Sequence, residues 1–291
     1  MFTDIPPILL ALAAALLFAV GMQFQNVGLA RIDSRRGAAI SIYTTAIFFW
    51  LLAPALLNSA YWFHPAVWIF VLVGLFRPSV SANLAVAAMR HLGPTLSSAL
   101  SSVSPLFAAA FGVLLLGEAL TWPTALGTAG VIGAVVTLAR RNGKIPMGWP
   151  LWALFLPIGA ALVRSIGHVL TKIGMGGIPD PYFAGLVGFS VSSLVVIAAQ
   201  RMAPSARRVQ WRGSAPYWFV AGGITMGIAV ICLNTALLHA PLIAVVPIVA
   251  SSPIFTMVLS VLVFRREKLT PRIVLAVFMV VTSVIFIALN R

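Results

Sequence analysis

The sequence predicts an all-α polytopic membrane protein with ten transmembrane helices, built as two inverted five-helix repeats. Three observations predict it. Of 291 residues, 61% are hydrophobic and only 8% are charged, with a mean hydropathy of +1.05. A soluble domain runs near about 45–50% apolar and about 25% charged, so a water-soluble fold is excluded. Second, ten apolar runs approach the roughly 20 helical residues that a bilayer core requires. Third, the two halves of the chain resemble each other. Strands of a barrel would alternate apolar and polar residues, and these runs do not, so helices are the spanning form.

The first run, Ile8–Ala30, follows Met1–Pro7, which carries Asp4 and no positive charge. It is too long for a cleavable leader and is expected to remain. Ala38–Leu57 and Val67–Ala88 follow, the latter with Arg77 at its centre, directly before Pro78. Thr95–Leu116 carries Ser97, Ser98, Ser101, Ser102 and Ser104, and Pro105 at its middle. Pro123–Ala139 carries Gly127, Gly130 and Gly133, a small-residue stripe that favours close helix packing. The second half continues with Leu151–Lys172, Tyr182–Ala199, Ala215–Leu238, Leu242–Phe264, with Pro253 at its middle, and Ile273–Leu289. The single cysteine, Cys232, lies in an apolar run and cannot form an intramolecular disulfide.

The repeat is carried by ordered matches. Ala88-Met89-Arg90-His91 matches Ala236-Leu237-Leu238-His239, and Ser104-Pro105-Leu106-Phe107 matches Ser252-Pro253-Ile254-Phe255, both at an offset of 148. One residue later in register, Glu118-Ala119-Leu120-Thr121 matches Glu267-Lys268-Leu269-Thr270. This divides the chain into 1–146 and 147–291, each with five spans. An odd number of spans per unit makes the two units enter the membrane in opposite orientation, as in secondary transporters.

Charge placement agrees. The loops after spans one, three, five, seven and nine, with their flanks, hold fifteen Lys and Arg, whereas the opposite face holds Lys172 and Arg291. Positive loops stay cytoplasmic, which predicts an inner (plasma) membrane protein of bacterial type with periplasmic termini. The net charge of +14 is spread in short clusters between apolar runs, which argues against nucleic-acid binding.

With its helix-breaking Ser-Pro, the apolar run after it and Gly117-Glu118-Ala119-Leu120-Thr121, echoed at Ser252-Pro253 to Thr270, the whole chain resembles the drug/metabolite transporter superfamily, EamA type. Within it the chain is similar to exporters of aromatic and other amino acids of the YddG type. The resemblance implies ten helices around a central cavity, alternating access, and an amino acid or other small amphiphilic metabolite as cargo. No catalytic constellation, metal-ligand spacing or glycine loop is visible, so neither an enzyme nor a cofactor is expected. A monomer in the bilayer is the expected state.

Candidate cargo-handling residues are the polar groups placed in hydrocarbon. Arg164 and His168 are one turn apart on one face of span six, and a guanidinium binds carboxylates well. Arg77 either pairs with carbonyls freed beside Pro78 or faces a wet cavity. Gln23 and Asn26, three apart in span one, offer amides that suit a zwitterion or an interhelical hydrogen bond. Asn83, Ser101 and Asn234 complete the substrate-binding candidates. Pro105 and Pro253, at equivalent repeat positions, are hinge candidates. All five acids, Asp4, Asp33, Glu118, Asp180 and Glu267, fall in loops or termini. Proton coupling commonly uses a buried carboxylate, so a gradient-driven uniporter is expected. The alternative is a proton-coupled drug/metabolite antiporter, with His168 as the coupling group.

Overall fold

The computed structural model describes residues 5–29, 32, 34–77, 80–81, 84, 87–88, 91–92, 100–101, 103–139, 151–202, 215–263 and 270–289. All regular structure among them is helical. In chain order the helices are α1 (Pro7–Gly28), α2 (Ser34–Leu56), α3 (Val67–Phe76), α4 (Ser104–Leu116), α5 (Trp122–Ala139), α6 (Phe155–Gly177), α7 (Pro181–Met202), α8 (Ala215–His239), α9 (Leu242–Val249), α10 (Ser252–Leu262) and α11 (Pro271–Leu289). Short 3-10 turns at Ser59–Phe63 and Leu151–Leu154 precede α3 and α6. Six stretches among the described residues are long and apolar enough to cross a membrane, and four shorter apolar helices accompany them. Each falls on a run that the sequence marks as a span.

Three expected spans are interrupted, one of them Thr95–Leu116, where a turn at Val103 precedes α4. Val67–Ala88 was expected as one helix with Arg77 inside it, but α3 ends at Phe76 and Arg77 is extended, at φ −115° and ψ 126°. The next residue in sequence is a proline, which disfavours the helical region for the residue before it. Leu242–Phe264 breaks at Ala250 and Ser251, giving α9 and α10. Pro253 has no N–H to give the Val249 carbonyl, and its ring would clash there, so one helix stops and another starts. Pro105 and Pro253 therefore sit not in mid-helix but in the first turns of α4 and α10, where a missing N–H costs nothing. The residues before these helices match: Val103 has φ −75° and ψ −5°, and Ser251 has φ −76° and ψ −5°.

Small residues set the packing. A Cβ built on Gly127 would fall 2.3 Å from Ile287, one on Gly130 2.1 Å from the Ser283 hydroxyl, and one on Gly133 3.1 Å from Met279. The glycine stripe of α5 is thus the close contact with α11, and the falling partner numbers make the pair antiparallel. Gly174 against Phe70 and Gly167 against Arg77 make α6 antiparallel to α3. Ser41 Oγ donates to the Phe219 carbonyl (3.1 Å) and Thr45 Oγ1 to that of Gly223 (2.7 Å), so α2 and α8 run parallel. These directions are those of a chain that reverses at every expected span.

Candidate functional site

Arg77, Arg164 and His168 converge where α3 ends against the middle of α6. Arg164 and His168 each lie about 3 Å along the axis from the midpoint of α6, at 1.5 Å per residue. Gly167 lies between them in sequence, and its missing side chain admits Arg77: a Cβ there would be 2.6 Å from Arg77 Cδ. Arg77 and Arg164 are close enough to repel each other, and both act on His168. Both arginines remain partly exposed, whereas His168 is buried. Its Nδ1 has no hydrogen-bond partner among the described residues.

The backbone freed by the break is satisfied without the arginine. Ser192 Oγ of α7 lies 2.8 Å from both the Gly74 and the Arg77 carbonyls. These two carbonyls therefore do not call on the Arg77 guanidinium. On the other side, α4 begins beside Arg164. Ser165 Oγ donates to the Ser104 carbonyl (2.9 Å), and the Ser104 hydroxyl meets Ser165 Oγ at 3.1 Å. These two bonds fix the start of α4 against the middle of α6.

The described acids are Glu118 and Asp180. Neither is near. Ser104 and Leu116 span about 18 Å of α4, and His168 and Gly177 about 14 Å of α6, so both acids lie beyond helix ends. Asp180 accepts from the N–H groups of Tyr182 (2.9 Å) and Phe183 (3.0 Å), capping α7. Burial raises its carboxyl above the usual range, against the opposing effect of those two bonds.

Other sequence candidates stand apart. Gln23 is buried, and its Nε2 donates to the Thr256 carbonyl (2.6 Å), joining α1 to α10. Asn26 is exposed, so the two amides do not share a surface. Asn234 Nδ2 donates to the Pro181 carbonyl (3.1 Å), holding the start of α7 against α8. Ser101 is half-buried just before the α4 break. Asn83 lies outside the described residues.

One polar centre is absent from the sequence reading. Glu118 follows Gly117, which ends α4 in the left-handed region at φ 64°, where glycine has no Cβ to strain. The carboxylate reaches across to α9, accepting from Leu242 N (2.7 Å, Oε1) and Ile243 N (3.0 Å, Oε2). Lys172 Nζ pairs with Oε1 at 3.1 Å and also donates to the Ala240 carbonyl. In the sequence Lys172 stands on the face opposite the basic loops. That isolation was the signal that it answers an acid.

The sequence profile of the EamA-like transporter family matches residues 5–140 and again 151–289. The chain belongs to the EamA-like transporter family. It is therefore a multi-pass membrane transporter of the drug/metabolite transporter superfamily, carrying two EamA repeats. A solved crystal structure is similar over 97% of this chain and 96% of its own, with a TM-score of 0.81 at 16% identity, a likeness of fold. No curated protein matches the chain.

Proposed function

We propose that this EamA-family protein carries small carboxylate-bearing metabolites by alternating access, with Arg164, His168 and Arg77 binding the carboxylate. Amino acids are the cargo that the sequence resemblance implies, and export from a bacterial cytoplasm is the direction, with both termini periplasmic. The convergence of two arginines and a histidine at the middle of α6, with no acid beside them among the described residues, carries this reading. A half-buried guanidinium gains from a bidentate carboxylate a partner of matching shape and opposite charge. Pro105 and Pro253 begin half-helices with matched entry geometry, which suits hinges of a rocking motion. Movement down the cargo's own gradient follows from the lack of a carboxylate in the described spans.

Arg164→Ala in proteoliposomes tests the assignment. Downhill flux of whichever labelled carboxylate the wild type moves fastest, amino acid or dicarboxylate, falls at least about tenfold, while yield, monodispersity and insertion stay near wild type. Undiminished flux in a well-inserted variant refutes it.

A further inference from the structure

Resting on that reading of the basic cluster, we infer that the preferred cargo is a small organic dianion, a dicarboxylate or phosphate monoester, and not a zwitterionic amino acid. The argument is one of charge balance. Arg77 and Arg164 bring two fixed positive charges to one place, Arg77 reaching in over Gly167 and Arg164 standing three residues before it on α6. Glu118 is committed to α9 and Lys172, and Asp180 to the cap of α7.

A zwitterion would satisfy one guanidinium with its carboxylate. Its ammonium would then lie beside the second guanidinium, with no acid to receive it among the described residues. That arrangement is repulsive, and low dielectric magnifies the repulsion. A dianion gives each guanidinium a partner and leaves no charge over. His168 Nδ1, buried and without a hydrogen-bond partner among the described residues, supplies one further polar atom for the bound anion or its water. Arginine cannot relieve the imbalance by losing its proton at ordinary pH, so the second negative charge has to come from the cargo.

The test is counterflow into proteoliposomes of the full chain, comparing labelled succinate, monomethyl succinate, sn-glycerol 3-phosphate and phenylalanine. Succinate or glycerol phosphate exchanges at least about tenfold faster than monomethyl succinate and phenylalanine, and whichever of the two is faster names the source of the dianion. Arg77→Gln brings the ratio of succinate to monomethyl succinate towards one. An unchanged ratio in that variant overturns the inference, and should the variant fail to fold, the wild-type comparison decides alone. Phenylalanine or monomethyl succinate exchanging as fast as succinate overturns the dianion but leaves the carboxylate carrier standing. If none of the four exchanges through well-inserted protein, both readings fall.

Discussion

Glu118 is the acid whose loss the structure makes most costly. Its side chain is 10% exposed and that of Lys172 20%, so the pair is largely shielded from water. Glu118→Ala removes the acceptor for the Leu242 and Ile243 N–H groups and the counter-charge of Lys172. Hydrogen bonds to a charged group are worth about 1.5–3 kcal/mol each, and breaking a buried ion pair costs about 3–5 kcal/mol. These figures overlap and do not add, and Lys172 keeps its bond to the Ala240 carbonyl. About 3–4 kcal/mol is the expected total. Glu118→Gln keeps an acceptor oxygen for one N–H and loses the charge, for about 2 kcal/mol. Tryptophan fluorescence during SDS titration in mixed micelles reads both variants, and Lys172→Met closes a double-mutant cycle with a coupling of at least about 1 kcal/mol. A loss below about 1 kcal/mol for Glu118→Ala, or additive single variants, would refute the reasoning, because the carboxylate would then be solvated like any surface acid.

Three further outcomes follow from the same geometry. Ser192→Ala leaves the Gly74 and Arg77 carbonyls without their donor and costs about 1–3 kcal/mol in the same titration, whereas Ser193→Ala, a local bond within α7, costs less. Gly167→Ala places a Cβ against Arg77, so cargo flux drops more than stability, which falls about 1–3 kcal/mol; unchanged flux would mean that Arg77 does not depend on that approach. Asp180→Ala loses the α7 cap for about 1 kcal/mol, and Asp180→Asn retains it. Burial raises the Asp180 carboxyl, so the native state holds that proton more tightly than the unfolded chain. Its contribution to stability is therefore full below the ordinary carboxylate range, near about pH 3.9, and declines as pH rises through the raised value. Asp180→Asn flattens that part of the stability profile.

Local chemistry made much of this legible. The stripe Gly127, Gly130, Gly133 was readable as close packing because the motif needs no partner to be recognised, and α11 supplies the partner. The pairing of Arg164 with His168 was readable because helical spacing is a local property. Their meeting with Arg77 was not, since it depends on where α3 crosses α6 and on the gap at Gly167. Of the two uses open to the amides, Gln23 takes the interhelical hydrogen bond, and which helix receives it is again a tertiary matter. Gln23 and Asn26 share a face by spacing, yet the approach of α10 buries the first and leaves the second exposed. Glu118 was visible as part of a repeated motif, but a motif does not reveal that its acid answers a helix start 124 residues away.

The interruptions give the strongest argument for where cargo passes. A helix that stops inside hydrocarbon leaves backbone carbonyls and N–H groups unpaired, which is tolerable only against protein or a wet cavity. At Arg77 the carbonyls find Ser192, and at Ser251 the hydroxyl turns back to the Ile248 carbonyl at 2.6 Å. These two breaks thus have local repairs made by serines, and neither repair uses a basic side chain. Arg77, at the end of α3, and Arg164, near the middle of α6, give no side-chain hydrogen bond between helices among the described contacts. A charge kept in the membrane at such cost needs a compensating partner, and in the carrier proposed above the cargo's anionic groups supply it.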